Sequence, residues 1–149
     1  MKKLAGIAIC GLALMSTAQA QPDDYKFIPS AQQKVAPTAN GLTSQFTLAN
    51  PKSGIAMITT RDKSGLAELH ADWIDHIFVQ AGGGTMILGG KIDESKETGP
   101  GETRGSGVTG GKSFAMHPGD YVYIPANTVH RMVLAPGQTI RYAVVKARN

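Results

Sequence analysis

"PGDYVYIPANTVH", Pro118 to His130, is the stretch that decides how this chain folds. Tyr121 to Ile124 alternates aromatic and β-branched residues in the manner of a strand, and Pro125 stops it. Asn127 is a residue type that tolerates a left-handed turn. His130 then opens a second short run, "HRMVLA". Ordinary turn chemistry fixes neither the five residues between Gly119 and Pro125 nor the two between Asn127 and His130.

The same strand-and-turn grammar fills the rest of the chain. "TSQFTLA", "GIAMITT", "LAELHAD", "HIFVQA", "TMILGG" and "IRYAVVK" are short runs rich in β-branched and aromatic residues, separated by Gly, Pro, Asn or Asp. No segment after Pro37 sustains a 3.6-residue apolar period. About eight such strands predict an all-β antiparallel sandwich or barrel rather than βαβ units.

Ahead of the strands the composition changes twice. Lys2 and Lys3 precede the apolar "LAGIAICGLALM", and Ala18-Gln19-Ala20 supplies a small-x-small cleavage pattern, so residues 1–20 are expected to be a signal peptide. The apolar run is too short for a stable membrane anchor, so none is expected after cleavage, and the protein is expected in the periplasm or secreted. Residues 21–44 read as a polar, Pro-punctuated N-terminal arm, with a short helix over "SAQQKVA" capped by Ser30, and residues 45–149 as the β domain. Cys10, the single cysteine, would leave with the signal, which excludes disulfide chemistry from the mature protein. Losing Lys2 and Lys3 takes the basic residues from 15 to 13 against 11 acidic ones. That near balance, without a Lys/Arg cluster among aromatics, argues against a nucleic-acid partner.

"GSGVTGGKS", Gly105 to Ser113, imitates a phosphate loop, with Gly105, Gly107 and Gly110 in a G-x-G-x-x-G pattern. Such a loop works when a strand delivers it and a helix N-terminus receives the phosphate. Here a polar segment precedes it and a strand follows, so Gly89 to Gly111 is read as a long glycine-rich connection with no nucleotide role.

Four histidines remain to be placed: His70, His76, His117 and His130. With "ELHADWIDHIFVQAGGG" added to Pro118–His130, the chain resembles the cupin superfamily of small jelly-roll β-barrels. The family's second motif is matched by Gly119, Pro125, Asn127 in place of a Gly, and His130; Leu134 replaces its final Asn. Its first motif, Gly with His-x-His, then Glu and Gly, fits in two registers. Counting back from Gly82 places Asp75 at the Glu position and His70 at the second His, with Glu68 replacing the first. This register turns Ile77 and Val79 into the barrel. Counting from Gly83 places His76 at the Glu position and His70 at the first His, with Asp72 replacing the second. That alternative gives His70, Asp72 and His76 one strand parity.

The resemblance implies a cupin-type jelly-roll barrel (a double-stranded β-helix) with a short N-terminal arm. It also implies a metal set drawn from His70, Asp75, His76 and His130, with Glu68 or Asp72 assisting. In "AELHADW", Glu68, His70 and Asp72 form one face, and an inward polar face is costly unless its groups pair or bind a cation. Imidazole with carboxylate suits Mn, Fe, Ni, Zn or Cu, and the ligand types do not choose among these divalent metals. The expected function is binding of such a metal and a small organic ligand inside the barrel, as an oxygenase, isomerase or lyase-type enzyme. The alternative is a non-catalytic, metal-free binding or structural cupin. His117 is expected in a solvated turn, Trp73 in a barrel wall or dimer contact, and Met132 on the same face as His130, opposite Arg131. Tyr121 and Tyr123 share a face that lines either the cavity or the outside. Edge strands and the extended arm make a homodimer the expected assembly.

Overall fold

The computed structural model describes residues 27–33, 36–50, 52 and 54–149, with 44–50 as backbone only. The signal-peptide reading over residues 1–20 and Cys10 lie outside the described residues. The expected helix over "SAQQKVA" is a single 3-10 turn, Ser30–Gln33, within the residues described there. No helix among the described residues is long and apolar enough to cross a membrane.

The strands are β1 (Leu42–Asn50), β2 (Gly54–Arg61), β3 (Ala67–His70), β4 (Trp73–Gly82), β5 (Gly84–Leu88), β6 (Lys91–Asp93), β7 (Lys96–Gly99), β8 (Glu102–Gly105), β9 (Gly107–Thr109), β10 (Lys112–Met116), β11 (Tyr121–Ile124), β12 (His130–Val133) and β13 (Ile140–Arg148). One sheet runs β1-β2-β13-β4-β11, the facing sheet runs β10-β5-β12-β3-β8-β7, and β6 pairs with β9. All pairings are antiparallel. The all-β reading holds.

Alternation builds the core. Ile77 and Val79 of β4, Ile140, Tyr142 and Val144 of β13 and Ile124 of β11 meet Met86 of β5, Met116 of β10 and Met132 of β12. Burying such a side chain stabilises by about 1.5–3 kcal/mol, so this inter-sheet layer holds the barrel closed. Gly82 makes the β4–β5 corner possible, because at φ +73° a Cβ there would lie 2.0 Å from the Thr139 carbonyl oxygen. β4 also bulges against β13, where Arg141 faces Ala81 and Tyr142 faces Val79.

Gly89 to Gly111 departs from the expected loop, because it contains four short strands, β6 to β9. Gly99-Pro100-Gly101 turns β7 back on β8, with Gly101 at φ +71°. Lys112 and Ser113 of the phosphate-loop look-alike belong to β10, so no helix N-terminus stands behind those glycines.

Candidate metal centre

Cross-strand pairing assembles the site. His130 of β12 lies opposite Glu68 of β3, and Glu68 lies opposite Arg104 of β8. Directly opposed residues share a sheet face, so Arg104, Glu68 and His130 form one inward row. His70 lies opposite Glu102 on the next inward row. From the other sheet, Asp75 of β4 lies opposite Lys146 of β13. The Pro125–Val129 turn locks both histidines. The Asn127 backbone N–H donates to the His70 carbonyl at 2.8 Å, and His130 Nδ1 meets the Thr128 carbonyl at 3.0 Å. Asn127 holds φ +62°, the left-handed conformation expected of it.

Four acceptor atoms converge. His70 Nε2 is 3.5 Å from Glu68 Oε2 and 3.7 Å from Asp75 Oδ2. His130 Nε2 is 3.8 Å and 3.7 Å from the same two oxygens. The ligand atoms of Glu68, His70 and His130 all lie within 4.8 Å of one another. The tautomers follow from the outer partners. A carboxylate and a carbonyl can only accept, so His70 Nδ1 donates to Glu102 Oε2 at 2.6 Å and His130 Nδ1 donates to Thr128. Both Nε2 lone pairs then face the carboxylates. Lone pairs gathered this closely repel unless a cation or proton lies among them, and His70 Nε2 is buried with no hydrogen-bond partner among the described residues. This donor set fits a divalent metal.

Protonation states agree with that fit. Burial pushes the Glu68 carboxyl up, but His70 beside it and the charges of Arg104 and His130 outweigh burial and hold it at about 2. Burial drives the His130 imidazole below its ordinary value, although the Thr128 hydrogen bond and the nearby carboxylates resist. Glu68 is therefore ionised and His130 neutral near pH 7, the forms a metal binds.

The structure brings Glu68, His70, Asp75 and His130 together, and it leaves His76 and Asp72 out. A bend at Ala71–Asp72 separates β3 from β4, so the parity that groups His70 with His76 in a continuous strand does not carry across it. After the bend Asp75, Ile77 and Val79 point inward, and His76 points out. There His76 hydrogen-bonds the Tyr121 hydroxyl at 2.8 Å and packs near Tyr123, and Phe78 lies against Tyr121. Tyr121 and Tyr123 are thus outer-face residues, half exposed. Asp72 is exposed and 3.5 Å from Arg148, whose guanidinium stacks on Trp73. His117 is solvated beside Asp120.

Five contributors escaped the reading of the sequence: Glu102, Arg104, Lys146, Arg61 and Tyr142. Arg104 Nη1 lies 2.5 Å from Glu68 Oε1, and Lys146 Nζ donates to both Asp75 oxygens at 2.8 Å. Arg61 Nε donates to the Tyr142 hydroxyl at 2.9 Å. Their signals were a Gly-Pro-Gly turn between K-E-T and E-T-R, and charged residues ending the alternating series Met57-Thr59-Arg61 and Tyr142-Val144-Lys146. Burial and the Arg61 contact act in opposite senses on Tyr142, and burial prevails, raising its phenol. The cluster opens into a cavity of about 200 Å³ between the sheets, walled in part by Met57, Ile77, Met86 and Met132.

No family model matches the chain, and a search of curated proteins finds no match. Solved structures do match. The polyketide cyclase RemF from Streptomyces resistomycificus superposes with a TM-score of 0.56 and 20% identity, over 83% of this chain and 81% of that one. An uncharacterized conserved protein with a double-stranded beta-helix domain from Klebsiella pneumoniae gives 0.59 and 13%, over 83% and 90%. The DMSP lyase DddQ from Ruegeria pomeroyi gives 0.50 and 14%, over 74% of this chain and half of its own. At such identity the likeness is one of fold. The chain has a double-stranded β-helix fold.

Proposed function

We propose that this cupin barrel is an exported protein that holds a divalent transition metal between Glu68, His70 and His130. A small organic ligand would bind beside the metal, for a metal-dependent reaction of the oxygenase, isomerase or lyase type. The observation that carries this reading is the buried, unpartnered His70 Nε2 aimed at Glu68 Oε2 and Asp75 Oδ2. Asp75 is the fourth candidate ligand, and Lys146 competes with the metal for it. When bound, a divalent ion supplies Lewis acidity toward a ligand oxygen. The chain's own groups do the rest. Glu102 and the Thr128 carbonyl hold each imidazole in the metal-binding tautomer, Arg104 orients Glu68, and Met57, Met86 and Met132 give the cavity an apolar wall. RemF is a cyclase and DddQ a lyase, which supports an enzymatic role by analogy of fold. Export rests on the pattern of residues 1–20, and homodimer formation on the open edge strands β1, β11, β10 and β7.

The test is the metal content of protein purified without chelator. We expect about one transition metal per chain in the parent and in His76→Ala, and loss in His70→Ala and His130→Ala. A parent that stays metal-free after incubation with Mn, Fe, Ni and Zn ends this reading. The second reading, a metal-free binding cupin, is favoured by Arg104 and Lys146, which already neutralise Glu68 and Asp75.

A further inference from the structure

The cavity wall carries one more polar feature, away from the imidazoles. Arg61, near the end of β2, lies opposite Ile140 of β13, two residues before Tyr142, and Arg61 and Tyr142 both line the cavity. The Arg61 side chain is only 13% exposed, and its guanidinium lies against Gly65, where a Cβ would come within 3.1 Å of Cζ, Nη1 and Nη2. Among the described residues its one side-chain hydrogen bond is from Nε to the Tyr142 hydroxyl. The nearest carboxylate oxygen, Glu68 Oε1, is 3.9 Å from Nη2, beyond hydrogen-bond reach, and Arg104 already holds that oxygen at 2.5 Å. Tyr142 is 6% exposed; its oxygen accepts from Arg61, so its own proton is free to be donated.

A buried guanidinium with unused Nη donors, beside a phenol with an unused proton, is an anion receptor already in place. Charge points the same way. Among the charged residues lining the cavity, Arg61, Arg104, Arg131 and Lys146 outnumber Glu68 and Asp75, which leaves two positive charges in excess. The guanidinium fork matches carboxylate and phosphate alike, and the apolar part of the wall selects an anion that carries a hydrocarbon group. Apolar Met57, Met86, Met132 and Val144 line the same cavity, which is smaller than a drug-sized pocket.

We propose that the cavity takes a short-chain organic carboxylate, its carboxylate group on Arg61 and Tyr142 and its apolar part against the methionines. This deepens the ligand-binding reading above and names the substrate class, and it rests on donors separate from the metal ligands. The Gly65 seat makes a further claim: Gly65→Ala, which changes no charge, displaces the fork and weakens carboxylate binding.

The experiment is calorimetric titration of the purified protein with butanoate, butanamide and inorganic phosphate, with metal content and circular dichroism measured on the same samples. Butanoate is expected to bind, and butanamide to bind at least about tenfold more weakly. Arg61→Gln should weaken butanoate by about tenfold or more, and Tyr142→Phe, a change that keeps the ring packing, by about threefold to tenfold. Metal content should stay unchanged in both. Equal binding of amide and carboxylate overturns the proposal, as does tighter binding of phosphate. So does unchanged butanoate affinity in folded Arg61→Gln or Tyr142→Phe, or an affinity that falls only in step with lost metal. A parent that binds butanoate through Arg61 yet holds no metal ends the metal reading and leaves this one standing.

Discussion

Replacing Lys146 by methionine separates the two things that can satisfy Asp75. Lys146 Nζ lies 2.8 Å from both carboxylate oxygens, and the Asp75 side chain is 6% exposed. Methionine preserves most of the stem but leaves a buried carboxylate with neither counter-ion nor donor. Breaking a buried pair by removing one partner costs about 3–5 kcal/mol. The Lys146 side chain retains 15% exposure and borders the cavity, which lowers the figure to about 2–3 kcal/mol. For a domain of this size that corresponds to a fall of roughly 6–14 °C in Tm with chelator present. A divalent ion then does for Asp75 what the lysine did, and Asp75 is released to serve as a ligand. Metal-induced stabilisation should therefore be larger in Lys146→Met than in the parent; an ion at a hundred times its Kd adds about 2.7 kcal/mol. The assay is thermal unfolding of both proteins with chelator and with saturating Zn or Mn. The reasoning is refuted if the chelated variant melts within about 2 °C of the parent, or if metal raises both melting points equally.

Glu102→Gln should lower metal affinity by about 10–100-fold while leaving the fold intact, because the carboxylate that sets the His70 tautomer is gone; competition with a chelating dye reads this, and unchanged affinity counts against the tautomer argument. Acid stability of the metal-free protein should follow Glu68 and His130. Glu68 is held at about 2 against an ordinary 4.5, so its stabilisation of roughly 3 kcal/mol is present above pH 4.5 and lost as pH falls toward 2. His130 is pushed below 6.5, so the unfolded chain takes up its proton first, and stability begins to fall as pH drops through 6.5. Urea titrations of parent and Glu68→Gln across pH 2–6 test this, and an equal slope below pH 4.5 would contradict it. Gly82→Ala should cost more than the ~1–2 kcal/mol of left-handed strain, since its Cβ would strike the Thr139 carbonyl; a loss below about 1 kcal/mol would show that the corner yields.

The sequence by itself determined the class of fold and half of the candidate site. The eight expected runs all fall on strands, because period-two alternation and turn residues are local signals that survive into the fold. The spacing from Gly119 to His130 placed His130 and the left-handed Asn127 before any coordinate was needed. What parity could not cross was the bend at Ala71–Asp72. Alternation is counted along one strand and restarts after a bend, so only the folded chain decided between Asp75 and His76. Arg104, Glu102 and Lys146 were hidden for a different reason. Each acts on a residue 32 or more positions away, through pairing of β3 with β8 or β4 with β13, and a polar residue opposite a distant partner looks the same in sequence as one facing water. The local alphabet specified the strands; the long-range register, which sets what each inward charge meets, belongs to the tertiary structure.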